Sequence, residues 1–328
     1  MEKLVKFNSC TKDNSVTYYS LKKQFLYLKK AQGASDYTMR DYNSRLERFE
    51  KYYTNEYLEM EPLKEVLIEL FSDTQKLAPA TYNGIYSYLN AFFNWVVDND
   101  YLYKNPIKIL GFKKKKETGK IRNIPEDIIK RLLQEIDINT FVGLRDYALI
   151  SLTLDTGIRP SEATGLRISN LDSEHFEIVV PADIAKTRQA RTLPLSYQTV
   201  EILKNLISFR IPGCEDYIFL SVTGRKMSTD NWEDRLQKYS VAINYKITPY
   251  DFRHTFAIMY LRNGGNVFSL QRLLGHSNLE MTKRYVNFSQ IDIANQHTNA
   301  SPINNFIQRN TRMKRLIRNV AKEIKVNG

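Results

Sequence analysis

DFRHTFAIMYLRNGGNVFSLQRLLGHSNLEMTKRYVN, residues 251–287, decides how this chain is read. Arg253 and His254 open an apolar run at helical spacing, Gly275 and His276 close a second helix, and Tyr285 follows nine residues after His276. Singly these residues are bland. An arginine on a helix is usually solvated, a histidine near a helix end often caps it, and most of the 21 tyrosines must be packing. Their order and spacing put a phosphate-seeking cation, an imidazole and a phenol where covalent phosphodiester chemistry would need them.

Upstream, TGIRPSEATGLRISNLD (156–172) holds Arg159 between short, stiff backbone, where one helix ends and Ser161 and Glu162 start the next. Such a placement suits bidentate phosphate capture, although pairing with a helix carboxylate would explain it equally. Between these two stretches, EIVV (177–180) and RTLPL (191–195) read as strands of a small antiparallel sheet that YIFL (217–220) either joins or stands apart from. Helical periodicity predicts helices at about 125–136, 141–155, 196–209, 230–242, 250–263 and 267–275. His254 is expected to pack or cap locally, because its helix sends Phe252, Phe256, Met259 and Tyr260 in several directions and is largely buried.

The N-terminal part is purely helical in pattern. Helices are predicted from Val16 to Lys30, from Asp36 to Tyr53 with Ser35 as N-cap, over Leu63–Ser72, and from Pro79 to about Asp100, with the unit ending at Asn105-Pro106. GFKKKKETGKIR (111–122) has glycines, a run of four lysines and no apolar period, and reads as a linker. The expected organisation is therefore a helical domain over 1–105, a basic linker over 106–122, a mixed domain over 123–300 and a basic tail over 301–328.

A chain of 328 residues is long for one core, so two domains are expected. The formal net charge of +12 is concentrated in two places: residues 104–122 carry a net +7 and residues 309–328 a net +6, leaving the remainder nearly neutral. Clustered positive charge is the footprint of a polyanion partner, and its bland alternative is a hinge and a solubilising tail. Two cysteines provide no disulfide framework, and four histidines without HExxH or CxxC argue against a metal site. No apolar run approaches the roughly 20 residues of a membrane span, and the N-terminus lacks a signal-peptide pattern, so the chain reads as soluble and cytoplasmic.

Taken together, T-G-I-R-P-S-E-A, a lysine within AKTRQARTLPL (185–195), R-H-T-F-A and L-G-H-S-N-L-E-M-T-K-R-Y resemble, in order and spacing, the tyrosine recombinase (phage integrase) family over nearly the whole chain. The resemblance implies a mainly α fold: a helical core-binding domain and an α+β catalytic domain with a small antiparallel sheet, joined by a basic linker and closing as a C-shaped clamp on duplex DNA. It implies that Arg159 and Arg253 hold the scissile phosphate, Tyr285 is the nucleophile forming a 3′-phosphotyrosine, Lys186 protonates the leaving 5′-oxygen, and His276 bonds the phosphate and orients Tyr285. Glu162 matches the acidic residue that orients the arginines. Lys113, Lys114, Lys115, Lys116, Arg188 and Arg191 are the candidate DNA contacts.

The pattern departs from the family at Tyr250, where H-x-x-R would place a histidine three residues before Arg253. A phenol there can donate to phosphate but is a poor base at neutral pH. Intact activity, a slower enzyme dependent on its context, and a catalytically degenerate one all stay open. By resemblance the chain is a metal- and ATP-independent site-specific recombinase with no cofactor, working through a Holliday junction as a homo-tetramer on two duplexes bearing short inverted core sites. Integration, excision or transposition of a mobile element, with an accessory directionality factor, is the leading role, and a chromosome-resolving Xer-type role stays open beside it. A type IB topoisomerase-like activity and a catalytically weak DNA-binding regulator are the alternatives. About fifteen residues before the first helix are too few for the arm-binding domain of larger phage integrases. The segment Asp292–Gln296 is expected to contact a neighbouring protomer, and the basic stretch after Pro302 to form an amphipathic helix.

Overall fold

The computed structural model describes residues 16–116, 122–286, 297–298 and 301–306. The chain divides into two units, Met1–Gly119 and Lys120–Gly328. The first is built from α1 (Tyr18–Ala31), α2 (Asp36–Glu50), α3 (Met60–Asp73), α4 (Pro79–Asp98) and the single turn α5 (Pro106–Ile109). Thr17 and Ser35 cap α1 and α2 by accepting the backbone N–H of Ser20 and Thr38, and α4 starts on a proline whose missing N–H costs nothing there. The apolar stripes meet in an aromatic core. Phe25, Phe49, Phe92 and Phe93 are fully buried, and Phe25 and Phe92 sit edge to face at 5.4 Å. Pairs of that geometry contribute about 0.5–1.5 kcal/mol each beyond area burial.

Two expectations for this unit change. α2 stops at Glu50 rather than Tyr53, and Tyr53 reaches the core from the following turn, donating its hydroxyl to the Tyr57 carbonyl at 2.6 Å. The segment expected to be a linker is packed onto the first unit as far as Lys115. Ile107 is fully buried, and the Phe112 ring lies 4.4 Å from Phe71. The Lys115 amide donates to Asn83 Oδ1 at 2.8 Å, while Asn83 Nδ2 donates back to the Lys115 carbonyl at 3.0 Å. The Lys115 ammonium donates to the Gln75 carbonyl and lies 4.6 Å from the Tyr82 ring centroid. Two well-placed apolar side chains outweigh four neighbouring charges, because only the apolar ones gain by leaving water. Lys113, Lys114 and Lys116 are exposed, and residues 117–121 lie outside the described residues.

The second unit comprises α6 (Glu126–Glu135), α7 (Phe141–Thr156), α8 (Pro160–Ala163), β1 (Leu171–Asp172), β2 (Glu177–Val180), β3 (Arg191–Pro194), α9 (Tyr197–Ser208), α10 (Thr229–Ala242), α11 (Pro249–Arg262), α12 (Val267–Leu274) and α13 (Leu279–Lys283). The strands form one antiparallel sheet in the order β1-β2-β3, with Leu171 opposite Ile178 and Val180 opposite Arg191. Alternation buries Ile178, Val180 and Leu193, and leaves Glu177 and Thr192 outward. YIFL stays outside the sheet: Tyr217 and Leu220 make only isolated bridges, to Arg167 and Lys226.

α7 is the central helix, packed on α9 and α11 and buried on most of its surface. Its buried Asp146 accepts Arg145 Nη2 at 2.7 Å, Arg235 Nε at 2.7 Å and the Tyr239 hydroxyl at 3.0 Å, which pins α10 to α7. A small satellite cluster of Phe256, Ala257, Leu261, Leu270 and Leu274 encloses Tyr285. No described helix is long and apolar enough to cross a membrane. Beyond Tyr285, residues 292–296 and the basic stretch from 307 onward lie outside the described residues; of the expected tail helix, only a 3₁₀ turn at Pro302–Asn305 is described.

Candidate active site

α12 ends in a way that exposes three carbonyls. Gly275 takes φ 61°, a left-handed conformation that a glycine adopts without steric cost. The Gly275 N–H then donates to Arg272 O at 3.0 Å and the His276 N–H to Gln271 O at 3.1 Å, the paired bonds of a Schellman end. The carbonyls of Leu273, Leu274 and Gly275 are left without intrahelical donors, at the negative end of the helix dipole. Each accepts from a different arginine: Leu273 O from Arg191 Nε at 3.0 Å, Leu274 O from Arg253 Nη2 at 2.8 Å, and Gly275 O from Arg159 Nη2 at 2.9 Å. Arg253 also donates to the carbonyl of Gly157, the left-handed glycine that ends α7.

Three guanidiniums at one helix end need a counter-charge, and Glu162 supplies it. Its carboxylate is fully buried and receives Arg159 Nη1 at 3.0 Å, Arg191 Nη2 at 2.5 Å, Arg191 Nη1 at 3.3 Å and the backbone N–H groups of Arg159 and Lys186, each at 3.3 Å. Burial pushes this carboxyl up, but the bonds and charges of Arg191 and Arg159 outweigh it and hold Glu162 below the usual carboxylate range. Burial, reinforced by the Arg159 cation, lowers the Arg253 guanidinium to about 9, which leaves it cationic at neutral pH.

His276 follows the Schellman glycine directly, so the helix end aims its ring. Nε2 lies 3.1 Å from Arg253 Nη2, and Nδ1 lies 2.8 Å from Thr282 Oγ1. Arginine can only donate, so Nε2 is the unprotonated nitrogen and Nδ1 carries the hydrogen toward Thr282. Burial, with Arg253 and the other arginines, lowers this imidazole to about 4, so it is neutral at pH 7. The Tyr285 ring stacks parallel to it at 6.4 Å and 9°. Tyr285 itself is 8% exposed. Burial raises its phenol above the ordinary tyrosine value, and Arg253, Arg284 and Arg159 pull it back only in part.

The structure thus brings Arg159 together with Arg253, His276 and Tyr285, from two stretches about ninety residues apart in sequence. Lys186 lies in the β2–β3 connection with an exposed side chain, and its backbone N–H donates to Glu162. Arg188 shares that connection at φ 54° and is exposed. Arg191, expected on DNA, is a strut between Glu162 and α12. Tyr250 stands on the first turn of α11, 48% exposed, and its hydroxyl makes no hydrogen bond among the described residues. A cleft of about 850 Å³ opens beside the group, lined by Arg191, Gln271, Gly275 and His276 among others.

One contact was not legible in the sequence. His254, expected to pack or cap locally, places Nδ1 2.8 Å from the Tyr285 hydroxyl. The two are 31 positions apart, and no local pattern announces the pairing.

The sequence signature of the phage integrase family matches residues 122–290, and that of the phage integrase N-terminal SAM-like domain matches residues 22–100. The tyrosine recombinase XerC of Escherichia coli O157:H7 is 33% identical over 221 residues, which cover 66% of this chain and 72% of XerC. Among solved structures, the Tn1549 transposon integrase in complex with a circular intermediate DNA has a TM-score of 0.68 at 21% identity, over 87% of this chain and 99% of that one. A lambda integrase dimer bound to a COC′ core site has a TM-score of 0.67 at 17% identity, over 83% and 77%. At these identities the two structures speak for the fold.

Proposed function

From the premise that this chain belongs to the phage integrase family and is a tyrosine recombinase, we propose that it cuts and rejoins duplex DNA at short inverted core sites through a 3′-phosphotyrosine on Tyr285. The observation that carries this reading is the end of α12. Three consecutive carbonyls hold three arginines in place there, and the next residue stacks its imidazole on the phenol. Fixed guanidiniums meet a phosphodiester already oriented and neutralise the charge that grows on its oxygens as phosphorus becomes five-coordinate, without reorganising at that moment.

In this reading Tyr285 Oη bonds to phosphorus, the P–O5′ bond breaks, and Lys186 gives the departing oxygen its proton. The exposed ammonium on its flexible connection suits a group that must reach a substrate. The phosphotyrosine keeps the bond energy, so a free 5′-hydroxyl from a partner strand can reseal the break by the reverse step. Two rounds of exchange through a Holliday junction, in a tetramer on two duplexes, would complete recombination. Within that activity, the role we assign is integration or excision of a mobile element with an accessory directionality factor, on the strength of Tyr250 at the H-x-x-R position and the basic C-terminal stretch.

The test uses a pool of nicked duplexes with a randomised centre, in which cleavage releases a short strand and traps the enzyme. An SDS-stable adduct that maps to Tyr285 and is absent from Tyr285→Phe is the expected result, and sequencing the captured DNA reports the core site. No adduct, with DNA binding retained, would make the chain a regulator. Plasmid relaxation without strand exchange would make it a topoisomerase.

A further inference from the structure

We propose that His254 is a catalytic residue of strand cleavage, its Nδ1 taking the phenolic proton of Tyr285 as Tyr285 Oη attacks phosphorus. This rests on the function proposed above. Two imidazoles flank the phenol, and their bonding separates their tasks. Both nitrogens of His276 are engaged, Nε2 by Arg253 and Nδ1 by Thr282. His254 is the one that touches the reacting atom, at 2.8 Å with ring centroids 5.7 Å apart. With the phenol donating, Nδ1 of His254 is the free base and Nε2 carries the ring hydrogen.

The position from which H-x-x-R would offer an imidazole is held here by Tyr250, half-exposed and unbonded among the described residues. His254 lies one helical turn further along α11, on the same face. It is half-buried, and the charges around it are Asp251 and Arg253 on α11 and Arg284 beside Tyr285. Burial is the larger influence and lowers the imidazole below its ordinary value, with Asp251 opposing and the two arginines assisting, so the ring is neutral and able to accept at pH 7.

The step balances. The Oη–P bond forms, the P–O5′ bond breaks, the phenolic proton passes to His254 Nδ1, and the 5′-oxygen receives a separate proton from Lys186. On religation the 5′-hydroxyl returns its proton to Lys186, and His254 returns the other to the phenolate that leaves. A weak base suffices, because the phenolic O–H becomes far more acidic as its oxygen bonds to phosphorus.

The experiment follows adduct formation on the nicked pool with the full chain. His254→Ala and His254→Gln are each expected to slow it about 10²- to 10⁴-fold with DNA affinity unchanged, the range for loss of a general base. Replacing Tyr285 by the more acidic 3,5-difluorotyrosine should recover at least tenfold of the rate in His254→Gln and change the unaltered protein little. A 5′-phosphorothiolate substrate, whose thiolate leaves without an acid, should rescue Lys186→Ala and neither His254 variant. Unchanged rates in both His254 variants would overturn the proposal. Faster cleavage would show that the contact is a lock on the nucleophile. A slow His254→Gln that fluorination does not rescue would show a packing role. No adduct from the unaltered protein would overturn the proposed function and this inference with it.

Discussion

Removing the charge of Glu162 is predicted to unfold the second unit far more readily while changing almost no volume. In Glu162→Gln the five donors now collected by the carboxylate, from Arg159, Arg191 and Lys186, meet an amide that can accept from few of them and turns its own N–H₂ toward cations. Glu162 is fully buried, and Arg159 and Arg191 are nearly so, with side-chain exposures of 7% and 11%. Losing one partner of such a buried set leaves uncompensated charge and costs about 3–5 kcal/mol. For a unit of this size that corresponds to a drop in Tm on the order of 10 °C. The assay is urea and thermal unfolding of the full chain in a Trp95→Phe background, so that the fully buried Trp232 reports the second unit alone.

The pH dependence gives a second check. The folded carboxyl lies below its ordinary value, so Glu162 contributes stability that is fully present above the ordinary glutamate range, about pH 4.3. That contribution is lost as pH falls through the folded value, since the unfolded state then binds the proton first. The gap between the unaltered protein and Glu162→Gln should therefore be constant from pH 6 to 8 and close in acid. A loss below about 1 kcal/mol, or a gap that persists unchanged to pH 3, would refute the view of Glu162 as the keystone of the arginine group.

Three further outcomes are expected. Gly157→Ala should destabilise by about 2–5 kcal/mol in the same assay, combining left-handed strain with overpacking: at φ 64° an added Cβ would sit 2.3 Å from Phe256 Cδ1 and 2.8 Å from Leu274 Cδ2. Because His276 is lowered to about 4, the rate of adduct formation should show no inflection between pH 6 and 8 that disappears in His276→Gln; such an inflection would mean the ring is not held neutral. Lys113→Ala should leave stability unchanged and reduce the slope of log affinity against log salt by about one. Lys115→Ala should instead lower the stability of the first unit, since its ammonium is tied to Gln75 and Tyr82.

Much of the fold is legible because helical burial leaves a periodic trace. Leu63, Leu67, Leu70 and Phe71 mark one stripe, and Tyr82, Ile85, Leu89, Phe92, Phe93 and Val96 another. Where an element is too short to show a period, or owes its burial to partners far away, the trace fails. β1 is two residues long and α13 five, and neither was foreseen. YIFL has the burial of a strand without its ladder, which no local rule distinguishes. The lysine run masked the buried Ile107 and the partly buried Phe112 on either side of Gly111, so a packed segment read as a linker.

For the site, the sequence by itself determined which side chains are available and in what order: two arginines at helix boundaries, a histidine directly after a helix-ending glycine, and a tyrosine nine residues on. Those are facts of local backbone chemistry, since a left-handed glycine and a helix N-terminus are written in neighbouring residues. The tertiary structure alone decided what each side chain touches. Three arginines converge on three consecutive carbonyls at the end of α12 because the N-terminal parts of α8, β3 and α11 all meet it. His254 meets Tyr285 because Asn263, Gly264 and Gly265 turn α11 back toward α12, and α13 returns the chain to the same cluster. Contacts of that kind depend on the relative placement of packed elements, to which residue spacing is blind.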